Sequence, residues 1–289
     1  MKTIKIIIYV IFICMMSCNS KPSIDVQGHR GCRGLLPENS LPSFKKAIEL
    51  GVNTLELDLA ISKDKQVVVS HEPYMKNSYC LDVNGNEISK EDELKYNLYK
   101  LNYNSIKQFD SGSKFYKQFP NQEKMKVHKP LLRDVFELSE SLNADIKYNI
   151  EIKSQPDYDS IYSPNPKEFV SLALKVISDY HVSHRVNLQS FDVRALEEIK
   201  RQAPTMKVAL LVDENESIES KLKELSFKPE IISPYLKLLT KESVENYQKK
   251  GYQIIPWTVN SPEDMLRMID FNVDGIITDY PDRLIKILK

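Results

Sequence analysis

The sequence predicts an α/β protein whose strands form a TIM (β/α)8-type barrel. The first observation is length, since 289 residues suit a fold that takes about 250 residues in one domain. The second is alternation: short β-rich runs are mostly separated by segments with helical periodicity, which is typical of parallel α/β architectures. The third is that the polar motifs come where candidate strands end, as catalytic groups do in barrels.

Nine runs are candidate strands for eight places in the barrel. They are Ile24–Gly28, Thr54–Leu59, Val67–His71, Tyr148–Ile152, Arg185–Gln189, Lys207–Val212, Glu230–Ser233, Gln253–Thr258 and Asp274–Thr278. The gap between Asp58 and Val67 is too short for a normal crossover helix, so we expect this region to depart from the ideal repeat.

Segments between these strands carry helix signals. Each has apolar residues at a spacing of three or four, or begins with Ser, Asp, Thr or Pro. They are Ser40–Leu50, Leu131–Asn143, Pro166–Tyr180, Val193–Ala203, Ile218–Leu225, Lys241–Lys250 and Pro262–Phe271.

One stretch is far longer than an ordinary barrel loop. It runs from about residue 72 to 129, is polar and is rich in Tyr, Asn and Lys. We interpret it as an insertion after the third strand candidate, either a subdomain over the active-site face or a lid. The predicted domain then covers residues 18–289 and includes this insertion.

The first 17 residues have the layout of a signal peptide. Lys2 and Lys5 precede an apolar run that continues to about Met16. The segment is too short for a comfortable membrane span. The residues before Cys18 resemble a bacterial lipoprotein cleavage box, which implies lipidation of Cys18; an ordinary signal peptide or an uncleaved anchor is the alternative. We expect an exported protein anchored to an envelope membrane, on its periplasmic or outer-surface side.

The charge balance limits the partners. Forty basic residues offset forty acidic ones, so the overall charge offers no case for binding nucleic acid or an anionic membrane surface. Phosphate recognition must therefore be local. In an oxidising compartment Cys32 and Cys80 are permitted to form a disulfide, but the sequence does not show that they meet.

Two strands each direct a polar pair to one side. Side chains alternate along a strand, so Glu56 and Asp58 share a face, as do Glu151 and Lys153. Converging carboxylates repel unless a cation holds them, and hard oxygen ligands suit Mg²⁺ or Ca²⁺ better than zinc. One such pair alone could be a solvated strand edge or a salt bridge. Two pairs together with two histidines favour a functional site.

The ordered motifs resemble those of the glycerophosphodiester phosphodiesterase family, within the phospholipase C-like phosphodiesterase superfamily. Any one motif is weakly specific, whereas their order along almost the whole mature chain is specific. The motifs are His29-Arg30-Gly31, Pro37-Glu38-Asn39-Ser40, Glu56-Leu57-Asp58, Val68-Val69-Ser70-His71-Glu72, Asn149-Ile150-Glu151-Ile152-Lys153, Gln189-Ser190-Phe191, Pro256-Trp257-Thr258 and the run from Asp274 to Pro281.

This resemblance implies one divalent cation, Ca²⁺ or Mg²⁺, held by Glu56, Asp58 and Glu151. It also implies that His29 and His71 form an acid–base pair. Histidine titrates near neutrality, so one imidazole can accept a proton from the nucleophile while the other protonates the departing alkoxide. Which histidine does which stays open, as does the nucleophile, a neighbouring glycerol hydroxyl or a water molecule at the metal.

Other motif residues suggest contacts with the substrate. The cation and Arg30 would stabilise negative charge that grows on the phosphate in the transition state. Lys153 is either a second phosphate contact or a counter-charge to Glu151. Trp257 is an apolar wall for the glycerol or a packing residue, and Glu38 orients Arg30 or begins the next helix.

The leading functional hypothesis is hydrolysis of glycerophosphodiesters to sn-glycerol 3-phosphate and an alcohol. One rival is phospholipase C- or D-like cleavage of a phospholipid or lysophospholipid headgroup. The other rival, from a different class, is a non-catalytic lipoprotein that binds a headgroup. The sequence leaves the headgroup, the native metal, the oligomeric state and the choice between inner and outer membrane open.

Overall fold

The computed structural model describes residues 24–142 and 145–289. Within them, eight parallel strands form a barrel and a ninth strand lies off its path. The strands are β1 (Asp25–Gly28), β2 (Thr54–Ile61), β3 (Val67–Val69), β4 (Lys147–Ile152), β5 (Val186–Ser190), β6 (Lys207–Val212), β7 (Ile231–Pro234), β8 (Gln253–Ile254) and β9 (Gly275–Thr278).

The eight strands follow one another in a nearly closed sheet. Their order is β8-β7-β6-β5-β4-β2-β1-β9, and every neighbouring pair is parallel. Backbone hydrogen bonds join the two end strands: Asp274 N donates to Ile254 O at 2.9 Å, and Ile277 N donates to Pro256 O at 3.0 Å. The predicted TIM-type barrel is therefore confirmed.

The candidate strand Val67–His71 shortens to β3 and does not belong to the barrel wall. β3 pairs antiparallel with β2, so that Val69 lies opposite Leu59. The chain between the two strands turns back at once, and Ser62 N donates to Gln66 O at 3.1 Å. Because this connection holds no crossover helix, the two strands run in opposite directions. Without this hairpin strand, the nine candidates become the eight barrel strands.

Helices connect the barrel strands and follow the last one. Several begin at a capping side chain: Ser40, Asn165 and Ser261 each accept a hydrogen bond from a backbone N–H of the first turn. No helix in the described ranges is both long and apolar enough to span a bilayer. The helices are α1 (Leu41–Leu50), α2 (Tyr103–Ile106), α3 (Leu132–Ser141), α4 (Pro166–Asp179), α5 (Val193–Gln202), α6 (Ile218–Lys223), α7 (Lys241–Lys249), α8 (Pro262–Asp270) and α9 (Pro281–Leu288).

Residues 72–129, hereafter the 72–129 segment, fold around a small core of their own. Met75, Tyr79, Leu98, Ile106 and other buried side chains form a cluster separate from the main core. This cluster also includes Val68 of β3. The segment is thus attached to the hairpin strand and is packed, although its composition is polar.

Both described cysteines are free and buried. Cys32 belongs to the main core, and its thiol lies 3.4 Å from Ser43 O. Cys80 belongs to the core of the 72–129 segment and lies 3.6 Å from Ser111 Oγ. The disulfide that an oxidising compartment would permit is therefore not formed.

The barrel interior is polar on one side and apolar on the other. On the side of β1, β2, β4 and β5, amides bond in series: Asn187 Nδ2 donates to Asn149 Oδ1 at 2.6 Å, and Asn149 Nδ2 donates to Gln27 Oε1 at 2.8 Å. On the side of β6 to β9, a cluster of aliphatic residues fills the interior, namely Ala209, Ile231, Ile255 and Ile277. The two sides meet beneath the carboxyl ends of the strands.

Candidate active site

Three buried carboxylates converge at the carboxyl ends of two neighbouring strands. Glu56 and Asp58 lie on β2, and Asp58 is in register with Glu151 of β4. One oxygen from each of the three lies within 4.8 Å of the others. The alternation of β2 and the parallel register of β4 thus place the predicted ligands together.

The protonation of these carboxylates reflects crowding of negative charge in a buried space. Burial and the neighbouring Asp58 raise the pKa of Glu56 well above its ordinary value. Burial raises the pKa of Glu151 to about 7, although Lys153 opposes this shift. Burial alone would also raise the pKa of Asp58, but Arg30 and Lys153 hold it well below its ordinary value.

The same three residues fit a divalent cation. Asp58 Oδ1 is buried and accepts no hydrogen bond in the described part of the chain, although Lys153 Nζ lies 3.5 Å away. An unpartnered buried carboxylate oxygen beside two further carboxylates is the donor set of a hard cation such as Ca²⁺ or Mg²⁺. A bound cation would also offset the charge that raises the pKa of Glu56 and Glu151.

His29 follows β1 and is fixed by a carboxylate behind it. Its Nδ1 lies 2.7 Å from Asp279 Oδ1, and its Nε2 lies 3.8 Å from Glu56 Oε2. Burial, with help from Arg33, lowers the pKa of His29 to about 4 even though Asp279 opposes the shift. A carboxylate only accepts, so Nδ1 carries the proton of the neutral ring and Nε2 faces the carboxylates as a free acceptor.

Asp279 is itself held by a network that the sequence analysis missed. Arg33 donates to both of its oxygens, with Nε at 2.9 Å and Nη2 at 3.1 Å. Asn260 Nδ2 donates to Asp279 Oδ2 at 2.7 Å, and Asp279 N donates back to Asn260 Oδ1 at 2.9 Å. The alternation of β9 was a usable signal, because it places Ile277 and Asp279 on the same inward side.

His71 lies two residues beyond β3 and faces the same space. Its Nδ1 lies 3.1 Å from Glu72 Oε1. Burial and the positive charges of Arg30 and Lys153 lower the pKa of His71, although Asp58 opposes them. Both predicted acid–base histidines are therefore neutral rings beside the carboxylates, each with a carboxylate near Nδ1.

The turn after His29 places Arg30 behind the carboxylates. Arg30 Nη1 donates to Glu38 Oε1 at 2.7 Å, and its Nε lies 3.3 Å from Asp58 Oδ2. Gly31 has a φ of +87°, and a Cβ there would meet Ser43 Oγ at 2.4 Å, so this turn requires glycine. Glu38 therefore orients Arg30, which is the first of its two expected roles.

Two cavities meet at this site. The smaller, of about 80 Å³, has both histidines in its wall together with Glu56, Glu151, Lys153, Gln189, Phe191, Leu211, Trp257, Thr258 and Ile277. The larger, of about 580 Å³, shares four of these residues, His71, Glu151, Lys153 and Phe191. Lys153 and His71 therefore lie at the junction of the two cavities.

The predicted contact residues differ in how they meet these cavities. Trp257 lines the smaller cavity, where its Nε1 donates to Ser233 O at 2.9 Å and its ring packs edge-on against Phe191. Lys153 lines both cavities and is also 2.9 Å from Glu151 Oε1. Arg30 is not among the described residues that line either cavity. Cys18 lies outside the described residues.

Comparison with known proteins gives a consistent result. A family model described as the glycerophosphoryl diester phosphodiesterase family matches residues 29–283. A glycerophosphodiester phosphodiesterase from Caldanaerobacter subterraneus subsp. tengcongensis is 34% identical over 264 residues, which cover 91% of this chain and 97% of that protein.

Solved structures share the fold. A chain from Silicibacter pomeroyi, provisionally named a glycerophosphoryl diester phosphodiesterase, aligns with a TM-score of 0.83 at 30% identity and covers 92% of this chain and 93% of its own. A phosphodiesterase from Oleispira antarctica, solved with the product sn-glycerol-3-phosphate, aligns with a TM-score of 0.71 at 21% identity, covering 90% and 94%. At so low an identity, the similarity to the second structure shows a shared fold only.

Proposed function

This chain belongs to the glycerophosphoryl diester phosphodiesterase family, and we propose that it hydrolyses glycerophosphodiesters to sn-glycerol 3-phosphate and an alcohol with one divalent cation and two histidines. The family match and the 34% identical relative support the coarser statement, that the chain is a phosphoric diester hydrolase. The residues of the site support the finer statement about the products, the cation and the two histidines.

A single observation carries the proposal. Three carboxylates converge, and two of them, Glu56 and Glu151, lie in the wall of a cavity that also contains His29 and His71. A headgroup-binding protein without turnover would have no use for two neutral imidazoles beside such a cluster. The arrangement instead supplies a cation site and two proton-transfer groups in one small space.

The cation site in this proposal consists of Glu56, Asp58 and Glu151. A bound Ca²⁺ or Mg²⁺ would act as a Lewis acid on the phosphate oxygens. Lys153 Nζ, at the junction of the two cavities, adds positive charge where the phosphate would lie. Arg30, held by Glu38, contributes its charge from behind Asp58.

The two imidazoles move protons in this proposal. His29 donates from Nδ1 to Asp279 and has Nε2 free, so at neutral pH it can accept a proton there. His71 is likewise neutral and lies in the wall of both cavities. One ring accepts a proton from the nucleophile at Nε2. The other takes up a proton from solvent before the bond breaks and, as an imidazolium, gives it to the departing alkoxide; the first ring then releases its proton to solvent.

The cavities suggest how the diester is oriented. The smaller one has a wall of Leu211, Trp257 and Ile277, which suits the carbon face of a glycerol. The larger one, with Tyr74 and Tyr158 in its wall, has room for the second alcohol. We therefore place the glycerol in the small cavity and the headgroup in the large one.

Activity with and without metal tests this function. We expect the purified chain to release sn-glycerol 3-phosphate from glycerophosphocholine, EDTA to stop the release, and Ca²⁺ or Mg²⁺ to restore it. His29→Ala should abolish turnover because Nε2 is lost. His184→Ala is the matched control, since His184 is exposed and lines a cavity apart from the site. Intact diester under all metals would instead indicate a binding protein.

A lysophospholipid is the second candidate substrate. It is favoured by apolar side chains exposed in or beside the 72–129 segment, where Leu94 is 49% and Ile161 54% exposed. Asn97 Nδ2 donates to Ile161 O at 2.8 Å and joins these two regions. Higher kcat/KM for lysophosphatidylcholine than for glycerophosphocholine would identify the lipid as the preferred substrate.

The proposed location rests on residues outside the described structure. We propose that residues 1–17 direct export and that Cys18 carries lipid, so that the enzyme is anchored to an envelope membrane. Radiolabelled palmitate should be incorporated into the wild-type chain in a bacterial host and be absent from Cys18→Ala. Equal labelling of both chains would contradict lipidation at this cysteine.

A further inference from the structure

A chain of partly buried polar groups connects the 72–129 segment with His71. His71 Nδ1 lies 3.1 Å from Glu72 Oε1, within ion-pair distance but not aligned for a hydrogen bond. The other oxygen of the same carboxylate, Oε2, accepts a hydrogen bond from the Tyr79 hydroxyl at 2.7 Å. Glu72 is therefore shared between an imidazole of the site and a phenol of the segment.

Tyr79 is itself held firmly. Its side chain is buried, and its ring packs against Tyr116 with centroids 5.4 Å apart. Lys129 Nζ lies 5.3 Å from the Tyr79 ring centroid and donates to Ser70 Oγ at 2.8 Å. Ser70 Oγ in turn donates to Glu72 O at 2.6 Å. Both the backbone and the carboxylate of Glu72 are thus restrained by residues of the segment or beside it.

We propose that Tyr79 is a positioning residue for the reaction. Its hydroxyl holds the negatively charged Glu72 carboxylate beside Nδ1 of His71, which favours the proton on Nδ1 and leaves Nε2 as the nitrogen that exchanges a proton. This inference rests on the proposed function, in which His71 is one of the two proton-transfer groups. It gives the 72–129 segment a role in catalysis in addition to that of an insertion or lid.

The charges of the three groups agree with this role. Burial disfavours the charge of Glu72, but His71, Arg30 and Lys129 hold its pKa well below the ordinary value, so the carboxylate only accepts hydrogen bonds. Burial and the adjacent Glu72 raise the pKa of Tyr79 well above its ordinary value, so the phenol keeps its proton and donates. A fixed negative charge beside one imidazole nitrogen favours the tautomer that carries its proton there.

His29 has a comparable arrangement from a different part of the chain. There Asp279 follows β9 and is held by Arg33 and Asn260. Each histidine is thus backed by a carboxylate that has at least one further donor. At His71, however, that donor comes from outside the barrel.

Removing one oxygen atom tests the proposal. We expect Tyr79→Phe to lower kcat about tenfold, the loss expected when one hydrogen bond to a charged group disappears, with KM unchanged. The ring remains to pack against Tyr116, so the fold should persist. Tyr103→Phe is the matched control: Tyr103 is in the same segment, and its hydroxyl donates to the backbone oxygen Lys129 O at 3.2 Å and not to Glu72. We expect its kcat to equal that of the wild type.

A double-mutant cycle shows whether Tyr79 acts through Glu72. In the Glu72→Gln background, Tyr79→Phe should cost less than about twofold, because coupled residues are not additive. A tenfold loss in both backgrounds would overturn the proposal. So would wild-type kcat in Tyr79→Phe.

Nitrogen chemical shifts of ¹⁵N-labelled histidine test the positioning without turnover. We expect His71 in the wild type to carry its proton on Nδ1 and Tyr79→Phe to show a mixture of both tautomers. Unchanged shifts would overturn the proposal. Since this readout needs no substrate, a failure of the proposed function, seen as absent product release by the wild type, is distinguishable from a failure of the role of Tyr79.

Discussion

The half of the barrel interior formed by β1, β2, β4 and β5 is lined by carboxylates and amides, whereas aliphatic side chains line the half formed by β6 to β9. Glu56 and Gln189 illustrate the first half, where Gln189 Nε2 donates to Glu56 Oε1 at 3.0 Å. Ile231 and Ile255 illustrate the second. The fold thus confines ionisable groups to one side and leaves the opposite wall to be shaped by packing.

This division carries different energetic demands. On the polar side every buried group needs a partner, because an unpaired buried polar group costs about 1–3 kcal/mol. On the apolar side the residues need close contact only. We therefore expect substitutions beside the carboxylates to change activity and substitutions among the aliphatic residues to change stability.

The largest expected effect is on the polar side, at Asp58. Asp58→Asn removes a proposed cation ligand and the partner of Arg30 and Lys153. We expect kcat/KM to fall about a thousandfold, comparable to the loss of a major electrostatic contribution to the transition state. Calorimetry should show weaker binding of Ca²⁺ or Mg²⁺. Asp270→Asn, at an exposed carboxylate, is the control, and wild-type turnover in Asp58→Asn would refute the ligand assignment.

The next effect is on the apolar side, at Ile255. Ile255→Ala leaves a cavity in a buried cluster, so we expect the free energy of unfolding to fall by about 3 kcal/mol. Because Ile255 lines neither cavity of the site, kcat should stay within about twofold of the wild type. Urea denaturation and steady-state kinetics measure the two quantities. A large loss of kcat at unchanged stability would contradict the assignment of activity to the polar side and of stability to the apolar side.

Asp279 provides a test at the boundary between the two halves. Asp279→Asn keeps an acceptor for His29 but removes the charge that holds Arg33. We expect kcat to fall about a hundredfold, within the range for general acid–base catalysis, with KM little changed. Cation affinity should be retained, since the three carboxylates stay in place. A parallel loss of cation affinity would mean that Asp279 supports the metal site instead.

The smallest expected effect concerns the amides beneath the site. Asn187→Ala removes the hydrogen bond to Asn149 Oδ1, which should lower the free energy of unfolding by about 1 kcal/mol. We expect kcat to be unchanged. A clear loss of kcat would show that the polar side acts as one unit down to its lower layers.

The sequence predicted much of this arrangement because the side-chain periods of strands and of helices are easily recognised in it. Alternation along β2 and β4 placed Glu56, Asp58 and Glu151 on one side, and the structure brings them together. The direction of β3 was harder to predict, since the composition of a strand-forming run does not show whether it pairs parallel or antiparallel with its neighbour. The short connection after β2 was the indication of an antiparallel pair. Helix α9 was missed, although Pro281 at its start is a common first residue of a helix.

Such patterns could not predict contacts between side chains that are distant in sequence. Asp279 meets His29 across 250 positions, and that meeting follows only from the closure of the barrel. Tyr79 belongs to a segment whose polar composition hid its buried core. Each depends on tertiary packing, which local periodicity does not describe.

The direction of β1 has a consequence for how an anchored enzyme would face its surroundings. β1 begins at Asp25, at the end of the barrel opposite the carboxylates, because parallel strands all start at the same end. Residues 19–23 alone separate Cys18 from the first described residue, a reach of about 20 Å when fully extended. With the proposed lipid on Cys18, the floor of the barrel would therefore rest near the bilayer and its mouth would open towards water. That orientation would favour substrates that arrive by diffusion from solution, such as deacylated diesters, over lipids drawn from the membrane to which the protein is attached.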